Sequence, residues 1–170
     1  LLDATNVIHT VAWDPTEPTA TRPLALLQGA NWWGYGFDQV KNVTEMFDAS
    51  GNLAAAYDYA PFGATVSDSG PAVAVNPLTF SSEIDDAALG LIHYTFRPLN
   101  TQDGRFIGRD PIGEQRGLNL HGFGGNDPVN YVDSDGKTPF RIQFDDPDFE
   151  ALGENLWIGP ADWDTGGAFR

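Results

Sequence analysis

Side chains that commonly carry chemistry are sparse in this 170-residue chain. It has no cysteine, which excludes thiolate nucleophiles, thiolate metal sites and disulfides. Its three histidines, His9, His93 and His121, are far apart and lack the spacing of metal ligands on a helix. The sequence also contains neither a nucleophile-elbow motif nor a phosphate-loop motif. We therefore expect no metal and no cofactor.

An acidic run at 133–136, Asp-Ser-Asp-Gly, is similar to the beginning of a calcium-binding loop. A twelve-residue loop that begins at Asp133 would end at Phe144, where such loops carry a bidentate glutamate. Aspartates before proline or glycine are more often turn residues, whose carboxylates accept backbone N–H bonds. The run therefore favours a turn, with an isolated acidic calcium site as the alternative.

The run from Gly104 to Gly136 is the most informative part of the chain. It has a Gly, Pro, Asn or Asp at nearly every second or third position, with apolar residues between them. Gly and Pro interrupt any helix before one amphipathic face is complete. Short extended pieces joined by tight turns suit the pattern, because Gly supplies positive φ and Asp or Asn caps the corner.

The same run resembles the core that closes Rhs-type (rearrangement hot spot) proteins, whose motifs occur here in the same order and spacing. The chain departs from that pattern at several positions: 97–100 lacks the usual two aromatics, Arg116 replaces a glycine, His121 a tyrosine, Ser134 a proline and Lys137 a common leucine. The matching motifs are Gly104-Arg105-Phe106, Asp110-Pro111-Ile112-Gly113, Gly117-Leu118-Asn119-Leu120, Asp127-Pro128 and Asp133-Ser134-Asp135-Gly136.

Many Rhs-type proteins cut their own chain one residue past the last of these motifs. The resemblance implies Asp110 and Asp133 as catalytic carboxylates, Arg109 beside the first, and cleavage between Lys137 and Thr138. Two carboxyl groups close together in a low-dielectric interior cannot both ionise, so one stays protonated while the other activates water. The alternative is that both aspartates only form turns and that Arg109 pairs with a carboxylate structurally.

A possible repeat precedes the core. Aligning Phe37 with Tyr59 and Lys41 with Gly63 gives a period of 22 residues, which resembles the tyrosine-aspartate (YD) repeat upstream of Rhs cores. Each unit would be a strand pair, with an aromatic on the buried face and Asp and Gly in the turn. A single hairpin cannot bury its apolar face, so such units must stack side by side. We expect the aromatics at 57, 59, 62, 94 and 96 to face the interior.

Composition limits the partners. The chain is 41% hydrophobic and carries 24 acidic against nine basic residues, a formal charge of −15. A surface this negative repels phosphates, so we expect no nucleic-acid partner. No apolar run approaches the roughly 20 residues that cross a bilayer, so no membrane span is expected. Because the sequence starts at Leu1 without an initiator methionine, we expect it to be a fragment with further sequence upstream. The resemblance to Rhs-type proteins implies that the protein is secreted or at the cell surface.

The fold class expected is mainly β, with short antiparallel strands of a spiral shell closed by a turn-rich core. We expect degenerate YD-type repeats at 1–66, the Rhs core at 76–136 and a variable acidic tail at 137–170. A fragment this short cannot close a shell alone, so its partners would be the upstream repeats or copies of itself, with a possible C-terminal cargo.

Three functions remain open at this level. The first is a structural part of a secreted shell that encloses or presents a polymorphic C-terminal segment. The second is a self-cleaving, aspartyl-protease-like core that cuts after Lys137. The third is an extracellular adhesion or binding module, for which the acidic tail with Trp157 and Trp163 is the candidate surface.

Overall fold

A computed structural model describes residues 2–3, 6–17, 21–116, 118–137 and 139–141. The described chain is mainly antiparallel β-structure, and its helical pieces are single 3-10 turns. The expected fold class is therefore confirmed. Thr138 and residues 142–170 lie outside the described residues, and most of the predicted tail falls among them.

An N-terminal strand pair precedes a six-stranded sheet in which strands follow chain order. The edge strands of that sheet, the third and the eighth in the chain, have no second partner strand in the described part. The strands of this region are β1 (Leu2–Asp3), β2 (Asn6–Val7), β3 (Thr10–Trp13), β4 (Pro23–Gln28), β5 (Asn31–Phe37), β6 (Val43–Asp48), β7 (Leu53–Tyr59) and β8 (Thr65–Ser69).

The 22-residue period is present in the backbone of this sheet. In the turn at 38–42, Lys41 N–H donates to the Asp38 carbonyl at 3.2 Å, and in the turn at 60–64, Gly63 N–H donates to the Ala60 carbonyl at 2.8 Å. Lys41 and Gly63 both have positive φ, 65° and 90°. A bulge precedes each turn, at 36–37 and at 58–59. The residues aligned from the sequence thus occupy equivalent places in two hairpins.

One face of the six-stranded sheet is buried. Aromatic residues of β5 and β7 pack here with small and aliphatic residues, and apolar burial of this kind is the main stabilising force of the sheet. The buried cluster comprises Leu26, Val43, Met46, Ala54, Ala55, Tyr57 and Ala72.

The core segment forms a second, smaller sheet of four strands with several 3-10 turns. The elements after β8 are the 3-10 turns Val73–Val75, Phe80–Ser82, Gly113–Arg116 and Gly124–Asn126, and the strands β9 (Ile84–Asp86), β10 (Leu91–His93), β11 (Pro98–Asn100), β12 (Arg105–Phe106), β13 (Tyr131–Asp133) and β14 (Pro139–Arg141). Val73–Val75 precedes the expected core at 76–136, and β14 lies in the expected tail. Strands β9 to β12 form the sheet, and β13 pairs with β14. A second buried cluster holds this segment together: Phe80, Ile92, Tyr94, Leu99, Phe106 and Phe123.

Polar contacts join the core segment to the six-stranded sheet. Asn76 accepts a hydrogen bond from the Tyr35 hydroxyl at 2.9 Å and donates to the Tyr57 hydroxyl at 3.1 Å, so one amide connects two strands. The Asn42 side chain accepts from Ser81 N–H at 2.7 Å. These bonds lie in buried or half-buried surroundings, where an unpaired polar group would be costly.

Apolar contacts also join the core segment to the six-stranded sheet. Tyr59 packs against both buried clusters and makes an edge contact with the Phe80 ring, with 5.8 Å between ring centroids. A Cβ added to Gly63 would lie 2.5 Å from the same ring, so glycine is needed there for both its φ and the close approach. The two sheets are therefore packed as one unit around this turn.

The expectation for buried aromatics is confirmed at Tyr57 and Tyr94, which are 6% and 5% exposed. It is wrong for Phe96, whose side chain is 51% exposed. Strand β10 ends at His93, and the Phe96 N–H beyond it donates to the Asp135 carbonyl. The ring then lies on the surface rather than in the cluster.

Candidate functional site

Arg97 is the centre of the candidate site. Its side chain is only 3% exposed, and its guanidinium lies 3.9 Å from the centroid of the Phe106 ring. Nε donates to the Gly136 carbonyl, and Nη1 donates to the Leu120 carbonyl at 3.2 Å. Nη2 lies 3.1 Å from Oδ2 of Asp110. One buried cation therefore connects three separate parts of the core segment.

Burial lowers the pKa of Arg97, and the nearby negative charges of Asp110 and Asp133 oppose that effect. A guanidinium remains charged even when such a shift occurs, because its ordinary pKa exceeds 12. The site therefore holds a positive charge that interacts electrostatically with both Asp110 and Asp133.

Asp110 forms a turn, as the structural alternative expected, and it also forms an ion pair. Its Oδ1 accepts a hydrogen bond from Ile112 N–H at 2.8 Å, the geometry of an aspartate turn. Its Oδ2 forms the ion pair with Arg97. Arg109, by contrast, is exposed, and the guanidinium in contact with Asp110 is that of Arg97.

Asp133 is almost fully buried, at 1% exposed. Its Oδ1 accepts hydrogen bonds from the backbone N–H groups of Gly136 at 2.8 Å and Lys137 at 3.1 Å. Burial raises the pKa of the Asp133 carboxyl, and the backbone N–H donors of Gly136 and Asp135 act in the opposite direction. The carboxylate is thus fixed directly against the chain that leads to the expected cleavage position.

Glu83 is a third carboxyl, which interacts electrostatically with Asp133 and Asp135, and sequence reasoning missed it. Burial, followed by the negative charges of Asp133 and Asp135, raises the pKa of Glu83 to about 8. Asp133 receives backbone donors and the field of Arg97, which favour its charged form. A carboxyl group with a pKa of about 8 keeps its proton at neutral pH, so Glu83 is protonated there.

Gly136 allows this arrangement to form. Its φ is +81°, and a Cβ at this position would approach the Tyr94 Cβ to 2.9 Å. The Tyr94 hydroxyl donates to Ser81 Oγ at 2.7 Å, which holds the buried ring beneath the glycine. Only glycine combines this φ with so close an approach, so the last glycine of the acidic run is required by the geometry.

The structure thus brings Asp110 and Asp133 into the field of one guanidinium, and it holds Lys137 through its N–H. Thr138, the other half of the predicted cleaved bond, lies outside the described residues. Arg97 had one usable signal, because it ends a segment, residues 92–97, in which apolar and polar residues alternate. Glu83 had none, because its altered titration results from burial and from charges distant in sequence.

The family model for the teneurin YD-shell matches residues 28–129, which is more than half of the chain. The chain belongs to the teneurin YD-shell family. The match spans the last strands of the six-stranded sheet and most of the core segment, and it confirms the Rhs-type resemblance together with the toxin relatives.

Three curated relatives are similar over about the same length. Double-stranded DNA deaminase toxin A of Burkholderia cenocepacia (strain H111) is 35% identical over 99 residues, 56% of this chain and 7% of that protein. Toxin subunit YenC2 of Yersinia entomophaga is 33% identical over 95 residues, 54% of this chain and 10% of that protein. The putative uncharacterized protein YlbH of Escherichia coli (strain K12) is 31% identical over 97 residues, which cover 57% of this chain and 41% of that protein.

Solved structures share the fold. The TcdB2-TccC3-Cdc42 crystal structure has a TM-score of 0.61 at 24% identity, over 65% of this chain and 5% of that chain. The Photorhabdus luminescens Tc holotoxin pore with the mutation TccC3-D651A has a TM-score of 0.62 at 23% identity, over 72% of this chain and 6% of that chain. The likeness at this identity shows a common β-fold, which is a small part of a much longer chain in both neighbours.

No helix in the part of the chain that the structure describes has the length and apolar character needed to cross a membrane.

Proposed function

We propose that this chain is the core-bearing part of a toxin-type β-shell, which encloses or presents the polymorphic segment that follows residue 136. Membership of the YD-shell family supports a structural, shell-like role. Two relatives are toxins by name, and one related solved structure is that of TcdB2-TccC3 without its hypervariable C-terminal region. A variable segment after the core of this chain would correspond to such a region.

The junction between sheet and core carries the proposal. Asn42 and Asn76 hold the core segment against the turn end and buried face of the repeat strands, and the Phe80 ring rests on Gly63. A segment joined to the sheet in this way is suited to seal one end of a shell wall. The open edges at β3 and β8 supply donors and acceptors for further strands.

The same proposal includes partners and boundaries. We assign repeat strands to 1–66, the sealing core to 76–136 and the variable segment to 137–170, with upstream repeats or copies of this chain at the sheet edges. Two of the solved neighbours combine TcdB2 with TccC3, which supports association with other toxin parts. Secretion or display at the cell surface follows from such a role.

Protection from a protease tests enclosure. The segment after residue 141 contains Glu150 and Glu154, which a glutamate-specific protease cuts. In the natural protein that contains this chain, we expect both positions to resist digestion under native conditions and to be cut after unfolding. A synthetic peptide of residues 142–170 gives the unprotected rate. Digestion of the native protein at the peptide's rate would refute enclosure.

A second function, self-cleavage after Lys137, is favoured by the carboxyl groups around Arg97. We propose that Asp110 and Asp133 are its catalytic carboxylates, and that Arg97 takes the role expected of Arg109 because it contacts Asp110. Glu83, with its raised pKa, is a proton donor at neutral pH. A carboxylate and a protonated carboxyl are the groups that peptide hydrolysis requires.

The proposed step consumes one water. A carboxylate removes a proton from the water, whose oxygen bonds to the Lys137 carbonyl carbon. The C–N bond to the next residue breaks, and the nitrogen receives a proton from the protonated carboxyl. The products are a new carboxylate at Lys137 and a new amine on the following residue.

Intact mass tests this step. The wild-type chain should yield two masses whose sum equals the whole chain plus one water, with the break after Lys137. Asp110→Asn and Asp133→Asn should stay whole, whereas Asp103→Asn, at an exposed turn of the same core, should cut normally. A wild-type chain that stays whole for days, or an Asp110→Asn chain that cuts at the normal rate, would reject self-cleavage.

A further inference from the structure

Phe96 presents an aromatic face to a single cation. The ammonium nitrogen of Lys137 lies 3.3 Å from the centroid of the Phe96 ring and 3.9 Å from Oδ2 of Asp135. The Phe96 N–H donates to the Asp135 carbonyl at 3.0 Å, so ring and carboxylate are held side by side by the backbone. An aromatic face with a carboxylate beside it attracts an ammonium group from two directions.

The backbone of Lys137 is held as firmly as its side chain. Its N–H donates to Oδ1 of Asp135 at 2.8 Å and to Oδ1 of Asp133 at 3.1 Å. The carbonyl of the residue before it, Gly136, accepts from Arg97. Contacts at the side chain, the N–H and the preceding carbonyl leave Lys137 little freedom to rotate, and its own carbonyl carbon is therefore placed with respect to Asp133.

We propose that Phe96 and Asp135 form a seat for the Lys137 side chain, which positions and selects the residue on the N-terminal side of the cut bond. The inference rests on the second proposed function, self-cleavage after Lys137. Phe96 and Asp135 act on the reaction through Lys137 and are positioning residues. An uncharged side chain in the seat packs on the ring but leaves the Asp135 carboxylate without its cation, so the seat prefers lysine.

The chain offers a direct probe of the seat, because its only lysines are Lys41 and Lys137. Lys41 binds Glu17 at 2.8 Å and Thr21 at 3.0 Å, and serves as an internal reference. Carbon-13 labelling of lysine should give an upfield-shifted ε-methylene signal for Lys137, caused by the ring current of Phe96. The spectra are recorded on Asp110→Asn, which keeps the chain whole, and the shift should vanish when Phe96→Leu is added.

Cleavage rates then test the positioning role. Phe96→Leu and Lys137→Met should each slow cleavage about three- to tenfold, and the double variant should be no slower than either, because both remove one contact. Phe47→Leu, at an exposed aromatic of the six-stranded sheet, is the matched control and should cut at the wild-type rate.

The NMR signal and the cleavage rate test the seat and the self-cleavage reaction independently. A Lys137 signal at the position of the Lys41 signal would overturn the seat, whatever the cleavage rate. A shifted signal with normal cleavage of Phe96→Leu would overturn the positioning role. A shifted signal in a wild-type chain that never cuts would reject self-cleavage and the positioning role with it, and would leave only a structural contact.

Discussion

The titration of Glu83 makes the stability of this chain depend on pH in a defined direction. The pKa of Glu83 rises from 4.5 in the unfolded chain to about 8 in the folded one. Between these values the folded state holds more protons than the unfolded state, so the free energy of unfolding falls as pH rises. At roughly 1.4 kcal/mol for each unit of pKa, the full shift would correspond to about 5 kcal/mol. Partial exposure and coupling to Asp133 reduce this to about 2–4 kcal/mol.

Urea unfolding of wild type and Glu83→Gln at pH 5 and at pH 8.5 measures this effect. Glutamine keeps the shape of the protonated acid, so the wild type should lose about 2–4 kcal/mol more than the variant between the two pH values. Because His9, whose pKa is lowered by burial, has the opposite effect, only the difference between the two proteins is informative. Equal pH dependence in both proteins would refute a protonated Glu83 in the folded chain.

Two other substitutions test the core segment by urea unfolding. Arg97→Met removes the cation paired with Asp110 Oδ2 and the donor to the Gly136 carbonyl, and it should cost about 3–5 kcal/mol. Arg22→Met removes a guanidinium that is 44% exposed and should cost less than about 1 kcal/mol. A similar cost for both would contradict the buried site. Gly136→Ala, with both positive φ and a close contact, should cost about 2–4 kcal/mol, against about 1 kcal/mol for Gly29→Ala, where only φ is adverse. Equal costs would mean that the close contact at residue 136 is absent.

Local chemistry explains what was predictable from the sequence. Asp38 and Gly63 predict turns. The carboxylate of an aspartate accepts hydrogen bonds from nearby backbone N–H groups, and glycine adopts positive φ at little cost. In the structure Asp38 Oδ1 accepts from the N–H of Val40 at 3.0 Å and of Asn42 at 2.9 Å. Signals that act over four or five residues were therefore enough to give the strand pairs, their period and the fold class.

The candidate site depends on contacts that no local pattern contains. Arg97 reaches the Gly136 carbonyl, 39 residues away, and Glu83 acquires its raised pKa partly from Asp133. A further long-range contact explains the exposure of Phe96, because its N–H donates to the Asp135 carbonyl instead of extending strand β10. Periodicity predicts which face of a strand is apolar, but it does not predict where the strand ends when a distant segment competes for its hydrogen bonds.

Electron cryomicroscopy of the natural protein that contains this chain tests the shell proposal most directly. We predict that further strands pair with the open edges at β3 and β8, and that the core at 76–136 seals one end of the resulting wall with the following segment inside. A map in which both edges face solvent, or in which the chain after Lys137 leaves to the outside, would contradict the proposal.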